Sequence, residues 1–157
     1  MQNVVRKKTK SARNVGVLFA AVAVSIILAQ FLRRPAECTE TYQRDGILRV
    51  ATSQFFYERA DDQTERTRGL SGRQCLAPSQ AMLFVFDAPQ RQGFWMKDMK
   101  FAIDIVWLDE SKSIVHIESN VSPSSYPQIS RPDARAQYVI EFHASTPGLR
   151  VGDRVDF

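Results

Sequence analysis

The run GFWMKDMKFAIDIVWLD, residues 93–109, decides how the rest of the chain is read. Phe94, Trp95, Met96, Met99, Phe101 and Trp107 concentrate large apolar surface there, so the run belongs at the centre of a core. Set among them are Lys97, Asp98, Lys100 and Asp104. A charge buried among aromatics is costly unless it is paired or hydrogen-bonded, which makes this the first place to look for function. Within residues 103–108 the pattern alternates. Ile103, Ile105 and Trp107 share one strand face, and Asp104, Val106 and Leu108 share the other.

Working outward, residues 47–51 and 55–57 read as strands. Asp62 with Glu65 three residues on is a capping-box spacing that predicts a short helix ending near Leu70. Residues 81–86 (AMLFVF) read as a strand buried on both faces and stopped by Asp87-Ala88-Pro89, and residues 93–96 as another. Residues 103–108 and 114–117, joined by a five-residue turn, predict a hairpin. Residues 122–133 carry three prolines and no period, so they predict a long loop of the kind that often carries function. Residues 135–142 alternate as a strand, Thr146-Pro147 reads as a helix cap, and residues 154–157 as a last short strand. The expected fold is mostly β (α+β): a small barrel-like mixed sheet of short strands with one or two short helices, preceded by one transmembrane helix.

The 157 residues have room for one domain and a targeting segment. The net charge is +4, yet residues 1–34 hold seven basic side chains and no acid. Residues 35–157 therefore carry 14 basic against 17 acidic side chains, and 14 − 17 gives −3. The basic character belongs to the N-terminus, and a nucleic-acid partner is not expected. Residues 15–32 (VGVLFAAVAVSIILAQFL) contain no charge, and as a helix they would rise about 27 Å, enough to cross a hydrocarbon core. Five basic residues precede this run and two follow it, an asymmetry that keeps the N-terminus in the cytoplasm, and Arg33 and Arg34 directly after the run favour retention over cleavage.

These runs divide the chain into a basic cytoplasmic segment (1–14), a signal anchor (15–32), a stalk (33–45) and an exported domain (46–157). A cleaved secretory signal is the alternative, and it would release the domain. The expected partners are the cytoplasmic membrane, through residues 15–32, and a small molecule, glycan or protein of the envelope. Cys38 and Cys75 are the only cysteines, and outside the cytoplasm a disulfide between them competes evenly with two free thiols.

Five ordered stretches carry a resemblance: Arg68-Gly69-Leu70-Ser71, residues 82–86 (MLFVF), residues 94–99 (FWMKDM), residues 104–109 (DIVWLD) and Val121-Ser122-Pro123. Together with Tyr138-Val139-Ile140-Glu141 and Gly152-Asp153 they resemble the family called domain of unknown function 192, over residues 47–157. The chain departs from that pattern at Ala81, Ala102 and residues 143–145, where local turn geometry is affected. The resemblance implies a compact, mostly β, barrel-like domain, often behind an export signal. It implies no established activity, catalytic residue, cofactor or partner.

Three chemistries compete for the polar residues. In the first, Arg68, Trp95, Lys97, Asp98, Asp104 and Glu141 line a ligand pocket of a non-enzymatic or accessory module at the cell envelope. Its structural counterpart is Asp104 as a buried ion pair with Arg68 or Lys97, or as the acceptor of loop-fixing hydrogen bonds. In the second, Asp98, Asp104 and Glu141 serve as the carboxylates of a small glycan or peptidoglycan hydrolase, although independent carboxylates on separate strands are commoner. In the third, the domain is a structural partner in a membrane complex. His116 with Glu118 and Glu141 with His143 each place two N/O groups on one strand face, a weak pattern for a metal; a solvent-facing polar row explains it as well, and no metal or other cofactor is expected. Phosphate-cradling glycine loops and a nucleophile elbow are missing from the sequence, and the balance leans away from an enzyme.

Overall fold

The computed structural model describes residues 38–157. The segments expected as cytoplasmic tail and signal anchor, residues 1–14 and 15–32, lie outside the described residues, as does the start of the expected stalk. Among the described residues no helix is long and apolar enough to cross a membrane.

Nine strands and one short α-helix run in order through the described residues: β1 (Gly46–Val50), β2 (Ser53–Ala60), α1 (Gln63–Arg68), β3 (Gln80–Gln90), β4 (Phe94–Trp95), β5 (Ile103–Leu108), β6 (Ile114–Val121), β7 (Ile129–Ser130), β8 (Ala136–His143) and β9 (Val155–Asp156). Seven of them form one mixed sheet in the order β6-β5-β8-β3-β2-β1-β9, and β4 pairs with β7 in a separate ribbon. Only β2 and β3 run parallel, joined by a crossover that contains α1; the other pairs in the sheet are antiparallel. The sheet curls until its two ends meet. Ser113 bridges Arg154, the Ile114 amide donates to the Asp153 carbonyl (2.8 Å), and the Val155 amide donates to that of Lys112 (3.0 Å).

Curling gives the sheet an inside and an outside, and both are apolar. The inner cluster takes Leu48, Phe55, Leu83, Val106, Ile114, Ile140, Phe142 and Val155, so every strand of the sheet contributes. The outer cluster takes Met82, Phe84, Ile105, Trp107 and Val139 from the central strands, covered by Leu70, Leu76, Met96 and Met99 from the connections. Alternation along β5 and β3 divides their side chains between the two, which is why these strands read as near-continuous apolar runs.

Several expectations change. Lys97, Asp98 and Lys100 are exposed, because only Met96 and Met99 of that turn tuck inward and the charges ride outside. The turn instead contributes backbone: the Lys97 carbonyl accepts from the Ser71 hydroxyl (2.9 Å) and the Asp98 carbonyl from the Gly72 amide (2.9 Å). Residues 87–89 do not stop β3. A register shift between Val85 and Gln90 loosens the ladder there, so the missing N–H of Pro89 breaks nothing. Thr146 caps no helix; its hydroxyl donates to the His143 carbonyl (2.6 Å) in a turn. Residues 38–45 do not hang free as a stalk. Cys38 is bonded to Cys75, and Tyr42 donates its hydroxyl to carbonyls of Phe56 and Ala81.

Asp104 is buried on the inner face, and among the described residues no cation pairs with it. Its Oδ1 accepts from the amides of Asn120 (2.7 Å) and Ser145 (3.1 Å), and Oδ2 accepts from that of Thr146 (2.7 Å). One carboxylate thus ties the end of β6 to the turn after β8. The loop-fixing role explains Asp104, and the expected ion pair with Arg68 or Lys97 does not form.

Urea unfolding reads the worth of these two ties. Asp104→Ala, which orphans three amides, should lose about 3 kcal/mol or more, and Asp104→Asn, which keeps one acceptor oxygen, about half as much. Cys75→Ser should lower stability by about 2–4 kcal/mol, the usual worth of closing a loop of this length, with no further loss on adding reductant.

Candidate functional site

A cleft of about 460 Å³ opens on the outer face of the sheet, between α1 and the β4–β7 ribbon. The size suits a small organic ligand. Its floor is Phe84, Phe94 and Glu141, its walls include Leu70, Phe86, Trp95, Met99 and Ile129, and its mouth carries Arg66, Arg68, Arg131 and Asp87. Phe94 makes edge-on contacts with Phe84 (4.9 Å), Trp107 (6.0 Å) and Phe86 (6.5 Å), so the ribbon is anchored to the sheet by aromatic packing. Trp95 is the opposite case. It pairs across the ribbon with Ile129, and the two remain 46% and 44% exposed along the rim.

Glu141 occupies the middle of β8, flanked in register by Met82 of β3 and Ile105 of β5. It is only 5% exposed, and its Oε2 has no hydrogen-bond partner among the described residues. Burial pushes the carboxyl up from its ordinary 4.5 to about 8, with Arg73 pulling weakly the other way. That guanidinium is itself held by Glu58. At neutral pH Glu141 is therefore mostly a neutral acid, able to donate one hydrogen bond and accept others.

Two glycines give the cleft its depth. Gly69 stands at φ +49°, and a Cβ there would lie 3.2 Å from the Phe84 ring and 3.9 Å from Glu141 Oε2, so a side chain would cover the carboxyl. At Gly93 a Cβ would lie 2.7 Å from Arg131 Nε; the guanidinium packs flat where any other residue would stand. Arg66 donates from Nη1 to the carbonyls of Asp61 and Val85. Arg68 and Arg131 have no hydrogen bond or ion pair with another described residue.

Of the residues expected in a ligand pocket, the structure brings together Arg68, Trp95 and Glu141. Lys97, Asp98 and Asp104 lie outside the cleft. Asp104 pairs in register with Phe142 and faces inward, while Glu141 faces outward, so side-chain parity separates these two carboxylates by the thickness of the sheet. Asp98 sits at an exposed turn with φ +58°. No pair of carboxylates suited to glycosidase chemistry forms from these three.

The histidine pairs are also kept apart, because β5 lies between β6 and β8 and puts Glu118 and Glu141 about 10 Å from each other across two strand spacings. His116 lies 3.7 Å from Glu118 and packs edge-on against Trp107, and no group of three metal-ligating side chains is found among the described residues. Sequence reasoning missed Arg131, Phe84 and Phe86. Only the proline-rich loop gave a signal for Arg131, since that loop returns as β7 beside β4.

The model of the family DUF192, described as Uncharacterized ACR, matches residues 47–157. Two solved structures are similar over most of their length. A Sinorhizobium meliloti 1021 protein, designated a candidate transcription regulator, is 27% identical with a TM-score of 0.68 over 74% of this chain and 97% of that one. A protein of unknown function from Novosphingobium aromaticivorans DSM 12444 is 23% identical with a TM-score of 0.67, over 71% and 84%, and shows the fold alone. No curated protein matches the chain.

Glu141 sets a pH dependence. Because its folded pKa lies above 4.5, the folded state holds the proton longer than the unfolded one; the contribution of Glu141 to stability is full below about pH 4.5 and is lost as the pH rises towards 8. The loss should be on the order of 3 kcal/mol by neutral pH. Glu141→Gln should flatten this fall, and urea midpoints measured across the window would read it.

Proposed function

We propose that this chain, which belongs to the DUF192 family, is a non-enzymatic module that binds a small ligand in the cleft above Glu141 at the cell envelope. One observation carries this reading: a buried carboxyl oxygen without a partner, at the floor of an aromatic cleft. Buried polar atoms are nearly always hydrogen-bonded, and an exception facing a cavity points to a partner that arrives from outside. Arg68 and Trp95 at the rim belong to the same site.

The cleft is built for holding rather than for reaction. Its hydroxyl groups are Thr67 and Ser71, and neither has a base beside it, since His116 and His143 lie elsewhere on the sheet.

Residues 15–32 would hold the module in the cytoplasmic membrane with its N-terminus inside, which agrees with the charge-free run and the basic residues before it. The Cys38–Cys75 bond favours the same side of the membrane, because disulfides persist in oxidising compartments. Regulation of transcription is not carried over from the Sinorhizobium protein. Residues 46–157 carry 13 basic against 14 acidic side chains, and 13 − 14 gives −1, without the basic excess typical of DNA-binding domains.

Native mass spectrometry of the full chain, purified from its host in mild detergent, should show a retained small molecule. Thr67→Trp, which fills the cleft from its exposed edge, should expel it. Equal retention by both forms would remove the cleft as the site. Lys100→Cys in intact cells should react with a membrane-impermeant maleimide, and labelling only after lysis would overturn the exported placement.

A further inference from the structure

The geometry points to the class of ligand: a small organic acid, carboxylate or phosphate, whose acid group is met by Arg68 and Arg131 at the mouth and whose far end offers an uncharged oxygen to Glu141 on the floor. This rests on the ligand-binding reading above and goes further by fixing which end of the molecule carries charge.

The mouth carries three guanidiniums against the single carboxylate of Asp87. Arg66 is held in place by its Nη1, which donates to the carbonyls of Asp61 and Val85, and by the Phe86 ring (5.4 Å), whereas Arg68 and Arg131 make no hydrogen bond or ion pair with a described residue. Gly93 places the Arg131 guanidinium against the ribbon backbone, where its flat fork can address a carboxylate or phosphate. An anion is drawn to such a mouth. An ammonium is repelled by it, and would find on the floor an acid that carries no charge until it surrenders a proton.

The charged groups facing Glu141 bear this out. The neighbouring strands offer Met82 and Ile105, the α1 side offers the Gly69 backbone, the charge that acts on it is Arg73, and Arg66, Arg68, Arg131 and Asp87 line the same cleft. With its Oε2 unpartnered among the described residues, the neutral acid can donate to a carbonyl or hydroxyl oxygen at the end of the ligand. Between the two polar ends lie Phe84, Phe86, Phe94 and Trp95, which suit an aromatic or acyl body.

The test uses the full chain in detergent and four matched probes in isothermal titration: 4-hydroxyphenylacetate, 4-hydroxybenzylphosphonate, the neutral 4-hydroxyphenylacetamide and the cationic tyramine. They share a ring and a hydroxyl and differ at the end that should meet the arginines. Below neutral pH both acids should bind at least about tenfold tighter than the amide and tyramine. The ratio between the two acids tells whether the mouth prefers a carboxylate or a phosphorus oxyanion. Arg68→Gln and Arg131→Gln should each weaken the acids roughly tenfold and leave the amide unchanged.

For 4-hydroxyphenylacetate, raising the pH from about 6 to about 9 should weaken binding, because ionised Glu141 no longer donates. Glu141→Gln, which keeps a donor, should retain binding and lose that pH dependence. Tyramine binding tightest, acids binding no better than the amide, or arginine variants without effect would each overturn the organic-acid class. The underlying reading falls or stands separately. A neutral or cationic molecule retained in native mass spectrometry and expelled by Thr67→Trp would leave ligand binding intact while removing this class.

Discussion

A curled sheet with apolar packing on both faces makes side-chain parity the constraint on which everything else depends. β8 lies between β3 and β5, hydrogen-bonded to both, and each of its residues must commit to the inside or the outside. Ile140 and Phe142 go in; Val139 and Glu141 go out. A slip of one residue would exchange these sets and place a carboxylate in the sealed interior, so the register is strongly specified. The two buried acids of the central strands owe their different fates to this rule. Asp104 falls on the inner side, where three amides satisfy it, and Glu141 on the outer side, where nothing in the described residues does.

The outer face is covered by connections rather than by long elements, and the cleft is the gap they leave. α1 is six residues long and buries none of them, so its position depends on the residues at its C-terminal end. Leu70 enters the outer core, Ser71 and Gly72 bond to the carbonyls of Lys97 and Asp98, and the short helix is thereby held over Glu141. On the other side Phe94 wedges against Phe84 and Trp107 and holds the ribbon. Two independent anchors therefore set the width of the opening. Neither needs a ligand to form, which makes the site pre-organised in the sense that lowers the cost of binding.

Keeping a carboxyl buried without a partner lowers the stability of the fold at neutral pH, and natural proteins retain such groups where function needs them. Stability is supplied elsewhere. The strap of residues 38–45 is joined to the domain by the Cys38–Cys75 bond, by Tyr42 on the β2 and β3 carbonyls, and by Glu58, which accepts from the Gln43 amide while pairing with Arg73. Arg73 is also the cation that acts on Glu141. The strap and the floor of the cleft are thus linked through a single guanidinium.

The amino-acid sequence by itself determined the mostly β class, the alternation of β5, the capping box of α1, the hairpin from β5 to β6 and the likeness to the family, and it singled out Arg68, Trp95 and Glu141, which the structure brings to one cleft. These are local signals, because period, cap and turn chemistry act over a few residues of chain. It misplaced Lys97 and Asp98, since a run of large apolar residues does not reveal that a turn can bury Met96 and Met99 and leave the charges between them in water. Only the tertiary structure decided that Asp104 and Glu141 face opposite ways, that β5 separates the two histidine pairs, and that Arg131 comes back beside Gly93. Those facts depend on strand order and on contacts between residues dozens of positions apart, and parity along one strand carries no information about which strand lies next to it.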